Sequence, residues 1–258
     1  MELAPVDDFN KKLLGEANRI IETAEKKNVL LRILGSIAFR LHCSKYVDYL
    51  DRMDRKLTDL DFASYSSQRN KIENLLAELG YVTQSYALVA VATLGRSIYW
   101  RSDNKEVKVD IFWDRLSMNH TVNFLKRLEF DKPTIPLTEM LQEKLQIVQL
   151  NLKDVKDTTI LLLEHEIATD SSDRETIDLS PVLKQASSEW GYYYTFTTNL
   201  SKIRDVLHEM NVLSDKEKSV VENKIATIMD ALEAVPKSLS WKLRAKVGPK
   251  TKWYNEVQ

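Results

Sequence analysis

The sequence predicts an α+β fold, with a β-sheet in the N-terminal half and only helices in the C-terminal half. Residues 29–34 form a short apolar run of the kind that is buried in a sheet. Residues 57–62 and 107–113 alternate apolar and polar side chains, which is the period of a strand. The segment 131–136 contains prolines and breaks every pattern, and only the helical period appears after it.

The first elements can be predicted in chain order. An apolar stripe at helical spacing predicts a helix over residues 7–27 that packs on the sheet. The strand 29–34 runs into Gly35 and Ser36, and a helical pattern follows them. A glycine in such a turn lets the backbone approach a phosphate closely, and the N–H groups of the next helix favour an anion. The charged stretch 45–56 is most simply a solvated connection.

Two aspartates on the second strand are the most informative feature of this half. Asp59 and Asp61 fall on one face of the predicted strand, and Leu60 and Phe62 fall on the other. Neighbouring carboxylates repel, so a cation is expected between them, and an oxygen-only site of this kind usually binds Mg²⁺ with a polyphosphate. Taken alone, the pair is equally explained as two solvated acids, because Asp-x-Asp is short and common.

One helix and four further strands complete the N-terminal half. The helix follows Ser66 or Ser67 and ends at Gly80. The strands are rich in β-branched and aromatic residues and cover residues 81–83, 88–94, 97–100 and 107–113, the last two as a hairpin. Alternation in the last strand leaves Asp110 as a third carboxylate on its polar face, beside Lys108.

Five helices are predicted beyond the Pro-containing break. They cover residues 137–150, 155–167, 177–186, 200–210 and 217–232. Because the break interrupts all periodicity, we place a domain boundary there and predict two domains, residues 1–132 and 133–258.

Composition narrows the class of protein. Of the 258 residues 43% are hydrophobic, which is enough for a sizeable core, and the net charge of −1 gives no overall field toward nucleic acid or an anionic membrane. The single Cys43 excludes an internal disulfide. Neither a signal-peptide pattern nor an apolar run of about 20 residues is present, so we expect a cytoplasmic protein without a membrane association.

The four histidines are scattered along the chain. None is paired with another histidine or with Cys43 at a spacing typical of metal ligands, so the sequence predicts no zinc site. Ser36 also lacks the Gly-x-Ser-x-Gly context of a hydrolase nucleophile.

The order of these features resembles the nucleotidyltransferase superfamily, whose pattern is Gly-Gly or Gly-Ser, then Asp-x-Asp, then one Asp on a later strand. The chain is most similar to the AbiEii-like branch, over roughly residues 29–163. In that branch an Arg follows the Gly-Ser, another precedes the Asp-x-Asp, and Lys-Leu and Lys-Asp-x-x-Asp occur later. Those positions are here Arg40, Arg55, Lys144 with Leu145, and Lys153 with Asp154 and Asp157. The branch often has an Arg just before its Lys-Asp, where this chain has Asn151.

The resemblance implies a fold and a reaction. The fold is the mixed sheet of the DNA polymerase beta-like proteins, with four or five strands and flanking helices. The reaction is a transfer of a nucleoside monophosphate from a nucleoside triphosphate to an acceptor hydroxyl, with Mg²⁺, two ions for preference, or Mn²⁺ as cofactor. Asp59, Asp61 and Asp110 would bind the metal and carry catalysis. The phosphates would contact Gly35, Ser36, Arg40, Arg55, Lys144 and Lys153, with Asp154 and Asp157 in support.

The acceptor and the nucleotide stay open. An RNA or tRNA end, a protein hydroxyl and a small antibiotic present the same nucleophile, and a toxin of this type would have a neutralising partner protein. A kinase-like phosphotransferase and a non-catalytic nucleotide- or nucleic-acid-binding subunit are the alternatives. Simpler roles also remain open for single residues: Ser36 as a helix cap, Arg40 in an ion pair with Asp48 or Asp51, and Lys144 and Lys153 in solvent.

The C-terminal end is basic and aromatic. Basic residues are interleaved there with aromatic ones, the composition of a surface for single-stranded or loop RNA. They are Lys237, Lys242, Arg244, Lys246, Lys250 and Lys252, among Trp241, Trp253 and Tyr254. Lys242, Arg244 and Lys246 are the predicted RNA contacts. Packing of the segment against the rest of the protein, with the lysines in solvent, explains the same residues. The aromatic run 190–196 has the same two explanations.

Overall fold

The computed structural model describes residues 8–83, 95–103 and 106–256, and it has a mixed α+β architecture with a small mixed sheet. The strand predicted over residues 88–94 lies outside these described residues. Within them, no helix has the length and apolar character needed to cross a bilayer.

The central sheet has five strands in the order β1-β2-β5-β4-β3. The strands are β1 (Arg32–Leu34), β2 (Leu60–Ser64), β3 (Tyr81–Thr83), β4 (Arg96–Arg101) and β5 (Lys108–Trp113). Strands β2 and β5 are parallel and every other neighbouring pair is antiparallel, so the sheet is mixed. The register places Asp61 opposite Asp110 on one side and opposite Leu34 on the other. The starts of β2 and β5 therefore meet beside the end of β1.

The described residues of the N-terminal half form four helices: α1 (Asp8–Lys26), α2 (Ser36–His42), α3 (Val47–Arg52) and α4 (Arg69–Glu78). Helix α3 lies in the stretch that was predicted as a solvated connection. Its Leu50 is fully buried, and Arg55 just after it is buried as well. This helix has six residues, and Leu50 is the one that it buries. Such a short segment among charged residues does not show a clear helical period, so periodicity did not predict it.

Six helices follow the Pro-containing segment. They are α5 (Leu137–Leu145), α6 (Leu152–Glu164), α7 (Ser180–Ser188), α8 (Trp190–Leu207), α9 (Asp215–Ala234) and α10 (Leu239–Val247). Two small sheets accompany them, the antiparallel pair β6 (Arg115–Ser117) and β7 (Thr121–Asn123), and the parallel pair β8 (Glu166–Ala168) and β9 (Thr176–Asp178). The prediction of an all-helical C-terminal half is wrong at β8 and β9. Ile167 and Ile177 pair across these strands, and single apolar residues fit the period of either element.

The two halves share one hydrophobic core. Residues of α1, the central sheet, α5, α6, α8 and α9 belong to a continuous buried cluster. The Pro-containing segment lies along β1, since Ile33 donates a backbone hydrogen bond to Pro133 at 2.9 Å and accepts one from Ile135 at 2.9 Å. The helical half is thereby held directly against the strand that leads into the Gly35-Ser36 turn.

Candidate active site

The three predicted aspartates meet at the start of the parallel strands. One carboxylate oxygen from each of Asp59, Asp61 and Asp110 lies within 4.8 Å of the other two. The in-register pairing of Asp61 with Asp110 brings these two together, and Asp59 lies directly before β2, which begins at Leu60. Asp110 is buried, whereas Asp59 and Asp61 are half-buried at the edge of the cluster.

The Gly35-Ser36 turn borders this cluster. Gly35 has a φ of +70°, and a Cβ atom at this position would lie 2.6 Å from Asp61 Oδ2. Both the backbone conformation and the close approach to a carboxylate require glycine. Ser36 is the first residue of α2 and is buried, but the residue at the helix cap is Gly35 and no side chain caps the helix. The simpler explanation of Ser36 as a capping residue is therefore not what the structure shows.

Two basic side chains neutralise part of the cluster. Lys108 Nζ lies 3.2 Å from Asp59 Oδ2 and 3.2 Å from Asp110 Oδ2. Arg96 on β4 lies 3.4 Å from the same Asp110 oxygen. The other Asp110 oxygen, Oδ1, is buried and has no hydrogen-bond partner among the described residues. Such an atom is costly unless a ligand satisfies it.

Burial and mutual repulsion govern the protonation of the cluster. The pKa of Asp61 is raised well above its ordinary value, first by burial and then by the charges of Asp59, Asp110 and Glu143. Burial also raises the pKa of Asp110, although Lys108 and Arg96 oppose that rise. A nearby cation favours the ionised form of such carboxylates and therefore lowers their pKa values again.

Glu143 is a fourth carboxylate that sequence reasoning missed. It lies on α5, and its Oε2 accepts a hydrogen bond of 3.3 Å from the backbone N–H of Gly35. Burial raises the pKa of Glu143 to about 7, against the opposing influence of Lys144 and the Gly35 N–H. The only signal in the sequence was its position directly before Lys144, since a glutamate on a helix is usually solvated.

Lys144 lies in a buried network of carboxylates. Its Nζ is 3.2 Å from Asp157, 3.5 Å from Glu143 and 3.6 Å from Asp154. Asp157 also accepts two hydrogen bonds from Arg55, of 2.8 and 2.7 Å. The structure thus brings together four residues that the resemblance named. Lys144 and Arg55 pair with acidic side chains and do not extend into solvent.

The two remaining predicted phosphate contacts, Arg40 and Lys153, have different surroundings. Arg40 is buried, pairs with Asp51 at 2.7 Å and donates to the carbonyl of Arg55 at 2.6 Å. The ion pair with Asp51 is one of the simpler roles that the sequence left open. Lys153 is exposed at the start of α6. Asn151, the position of the departure from the AbiEii-like pattern, caps that helix by accepting from the N–H groups of Lys153 and Asp154.

The basic C-terminal segment packs on α8. Arg244 lies over the ring of Trp190 at 4.6 Å and donates to the carbonyls of Gly248 and Thr251. Trp253 donates to Thr195 Oγ1 at 3.0 Å. Packing therefore explains Arg244 and the aromatic run, and it leaves Lys242 and Lys246 exposed.

The acid cluster fits a hard divalent cation. Its donors are carboxylate oxygens only, which is the donor set that Mg²⁺ prefers, and the buried Asp110 Oδ1 is an acceptor without a donor. Chemically, such a cluster beside a glycine turn can bind a metal–polyphosphate and accept a proton from a hydroxyl group.

Comparisons of the chain with protein-family models, with curated proteins and with solved structures found no match. Assignment of a function therefore depends on the geometry of the site itself.

Proposed function

We propose that this protein is a nucleotidyltransferase that transfers a nucleoside monophosphate from a nucleoside triphosphate to an acceptor hydroxyl. The observation that carries the proposal is the juxtaposition of Asp59, Asp61 and Asp110 beside the Gly35-Ser36 turn, with a buried Asp110 oxygen that has no partner in the part of the chain that the structure describes. Asp59, Asp61 and Asp110 would hold Mg²⁺. When bound, Mg²⁺ offsets the charge of the triphosphate and of the departing pyrophosphate.

Residues of the chain would remove the proton of the acceptor hydroxyl and position the phosphates. The acceptor oxygen forms a bond to the α-phosphorus while the bond between the α-phosphorus and the bridging oxygen breaks and pyrophosphate leaves. Asp110 is the base for the acceptor hydroxyl proton, because burial raises the pKa of its carboxyl group. The Gly35-Ser36 turn positions the β- and γ-phosphates with backbone N–H groups and the Ser36 hydroxyl.

Lys108 links two of the residues that would hold the metal. Its ammonium group bridges Asp59 and Asp110 at 3.2 Å from each. With a divalent cation held by these carboxylates, the ammonium group would be repelled from them and would be available to pair with a phosphate of the substrate.

The test is a labelling experiment with the full chain. The protein is incubated with Mg²⁺ and each nucleoside triphosphate in turn, labelled on the α- or the γ-phosphate, with total cellular RNA or protein as acceptor. We expect transfer of the α-label only. Transfer of the γ-label instead would indicate a kinase-like phosphotransferase on the same site.

The variants Asp61→Asn and Asp110→Asn should lose most of the transfer, and Asp205→Asn, an exposed position on α8, should keep it. Normal transfer by either active-site variant would contradict the assignment. Absence of transfer with every nucleotide to RNA, to protein and to a small-molecule extract of cells would contradict it as well.

One observation favours a non-catalytic nucleotide-binding subunit. Lys108 and Arg96 already neutralise much of the acid cluster without a metal. A thermal-shift measurement separates the two functions, because any ligand of the folded state raises the melting temperature. A Mg²⁺-dependent rise with a triphosphate, without transfer of either label, would identify a binding subunit.

A further inference from the structure

A second group of metal-ligating side chains lies at the other end of α2. His42 is the last residue of α2, His165 follows α6, and Glu175 precedes β9. One ring nitrogen of each histidine and one carboxylate oxygen of Glu175 all lie within 4.8 Å of one another. The two imidazole rings meet edge to face, with centroids 5.8 Å apart. Spacing along the chain gave no sign of this group, because its members come from three separate segments.

The His165 side chain provides an independent observation. It is 4% exposed, and its Nε2 is buried without a hydrogen-bond partner among the described residues. Its Nδ1 lies 3.2 Å from the carbonyl oxygen of Glu175 and 3.7 Å from Glu175 Oε2. A buried imidazole nitrogen without a partner is unusual in a folded protein unless a ligand satisfies it.

A further carboxylate supports His42. Asp131 is buried, and its Oδ2 lies 3.0 Å from His42 Nε2, while Thr134 Oγ1 lies 2.5 Å from the same nitrogen. A carboxylate or hydroxyl group beside a ligating imidazole is the usual support for a metal-bound histidine, because it fixes the orientation of the ring.

We propose that His42, His165 and Glu175 form a binding site for a divalent transition-metal ion of the zinc type. Two imidazole nitrogens and one carboxylate oxygen are borderline donors that favour Zn²⁺ and Co²⁺ over Mg²⁺, with water in the fourth position. The Glu175 side chain is 69% exposed, so it can move the short distance needed to reach ligand bonds of about 2.0 Å.

The bound ion would connect two elements that frame the candidate active site. Ser36 begins the helix that His42 ends, and Asp157 lies on the helix that His165 follows. A metal at this point fixes α2 relative to α6, without contact with the acid cluster. The two sites are separable by chemistry, since one offers oxygen donors only and the other offers nitrogen donors.

The test measures metal binding by the full chain after treatment with a chelator and its removal. We expect calorimetry to show one Zn²⁺ per chain, and Co²⁺ in its place to give the visible absorption of a tetrahedral site. His165→Gln should abolish this binding and Glu175→Gln should weaken it by about tenfold or more. His208→Gln, at an exposed histidine paired with Glu222, is the matched control and should bind normally.

Asp61→Asn should also bind Zn²⁺ normally, which separates this site from the acid cluster. Zn²⁺ affinity that is unchanged in Glu175→Gln and His165→Gln would overturn the proposal, and so would absence of Zn²⁺ binding by the unmodified chain. If His165→Gln fails to fold, the Zn²⁺ affinity of Glu175→Gln alone tests the proposal, because the Glu175 side chain is exposed.

Discussion

Two lysines, Lys144 and Lys153, were predicted alike from the sequence but differ in burial and in their partners. Lys144 keeps 11% of its side chain exposed and lies between Asp154, Asp157 and Glu143, whereas Lys153 is in solvent. The distinction depends on which residues of α6 face α5, and the spacing of charges along the chain does not contain that information.

Loss of the Lys144 charge is expected to destabilise the protein. Lys144→Met removes a buried cation from Glu143, Asp154 and Asp157, of which Asp157 keeps Arg55, and this costs about 3 kcal/mol or more of unfolding free energy. Lys153→Met, at the exposed position, should change it by no more than about 0.5 kcal/mol. Urea unfolding of both variants measures the difference, and equal stabilities would show that the Lys144 network is not a net stabiliser.

Glu143 should make the metal-free protein less stable as the pH rises. Its pKa is about 7 in the folded state and near 4.5 when unfolded, so between these values the folded protein binds the extra proton. The unfolding free energy therefore falls with increasing pH across this window, by up to about 3 kcal/mol from this group. Asp61 and Asp110 shift in the same direction.

The variant Glu143→Gln tests this contribution. It retains both aspartates, so a flatter pH dependence between pH 5 and 8 reports the titration of Glu143 together with the part of the Asp61 pKa shift that the Glu143 charge causes. Chemical unfolding in the presence of a chelator is the measurement. Parallel curves for the variant and the unmodified protein would mean that Glu143 ionises normally.

At the level of elements, the sequence was most informative where a residue type is required by the backbone. The Gly35-Ser36 turn and the strands that carry Asp61 and Asp110 occur as predicted, but the first of these strands covers Leu60–Ser64 and Asp59 lies directly before it. Helices α3 and α10 and strands β6 to β9 were not predicted, because each is short and depends on tertiary packing rather than on periodicity. The aspartates could be grouped from sequence, but the cations that pair with them could not, since partners such as Lys108 depend on strand register.

Gly35 should not tolerate a side chain. Gly35→Ala places a Cβ 2.6 Å from Asp61 Oδ2 at a φ of +70°, so we expect a loss of stability together with a distorted acid cluster. Gly15→Ala is the control, because Gly15 lies within α1 with nothing within 4 Å of the added Cβ. That substitution should stabilise the protein by about 0.5–1 kcal/mol. Thermal unfolding of both variants is the measurement. A gain of stability in both would contradict the close approach of Gly35 to Asp61.

The Asn151 cap should stabilise α6. Asn151→Ala removes the acceptor for the N–H groups of Lys153 and Asp154 and should cost about 1 kcal/mol. Asn151→Ser, which retains a capping oxygen, should cost much less. An alanine variant as stable as the unmodified protein would show that the cap contributes nothing, and unfolding by urea provides the comparison.

At the scale of the whole molecule, the predicted boundary falls in a segment that pairs with β1, and one core extends over both sides of it. The C-terminal segment packs on α8 and has four exposed lysines, Lys242, Lys246, Lys250 and Lys252. Arg244 contributes to packing, so it cannot be used to test an RNA surface without disturbing the fold.

If RNA is the acceptor and binds at this segment, the double variant Lys242→Glu/Lys246→Glu should weaken RNA binding and reduce its dependence on salt. Binding of the triphosphate and the melting temperature should be unchanged, because both side chains are exposed. Salt titrations of RNA binding measure the slope. A slope equal to that of the unmodified protein would show that RNA binds elsewhere or not at all.

The pairing of Arg55 with Asp157 also has a consequence for protein synthesis. The two residues are separated by 102 positions, and Arg55 is made first. At the usual rate of translation, Asp157 follows roughly 5 to 20 s later. During that interval a nascent chain carries the Asp-x-Asp strand and the Gly35-Ser36 turn without the acid that holds Arg55 beside them. Assembly of the candidate site is therefore delayed until α6 has left the ribosome, and a chain released before that point lacks a complete site.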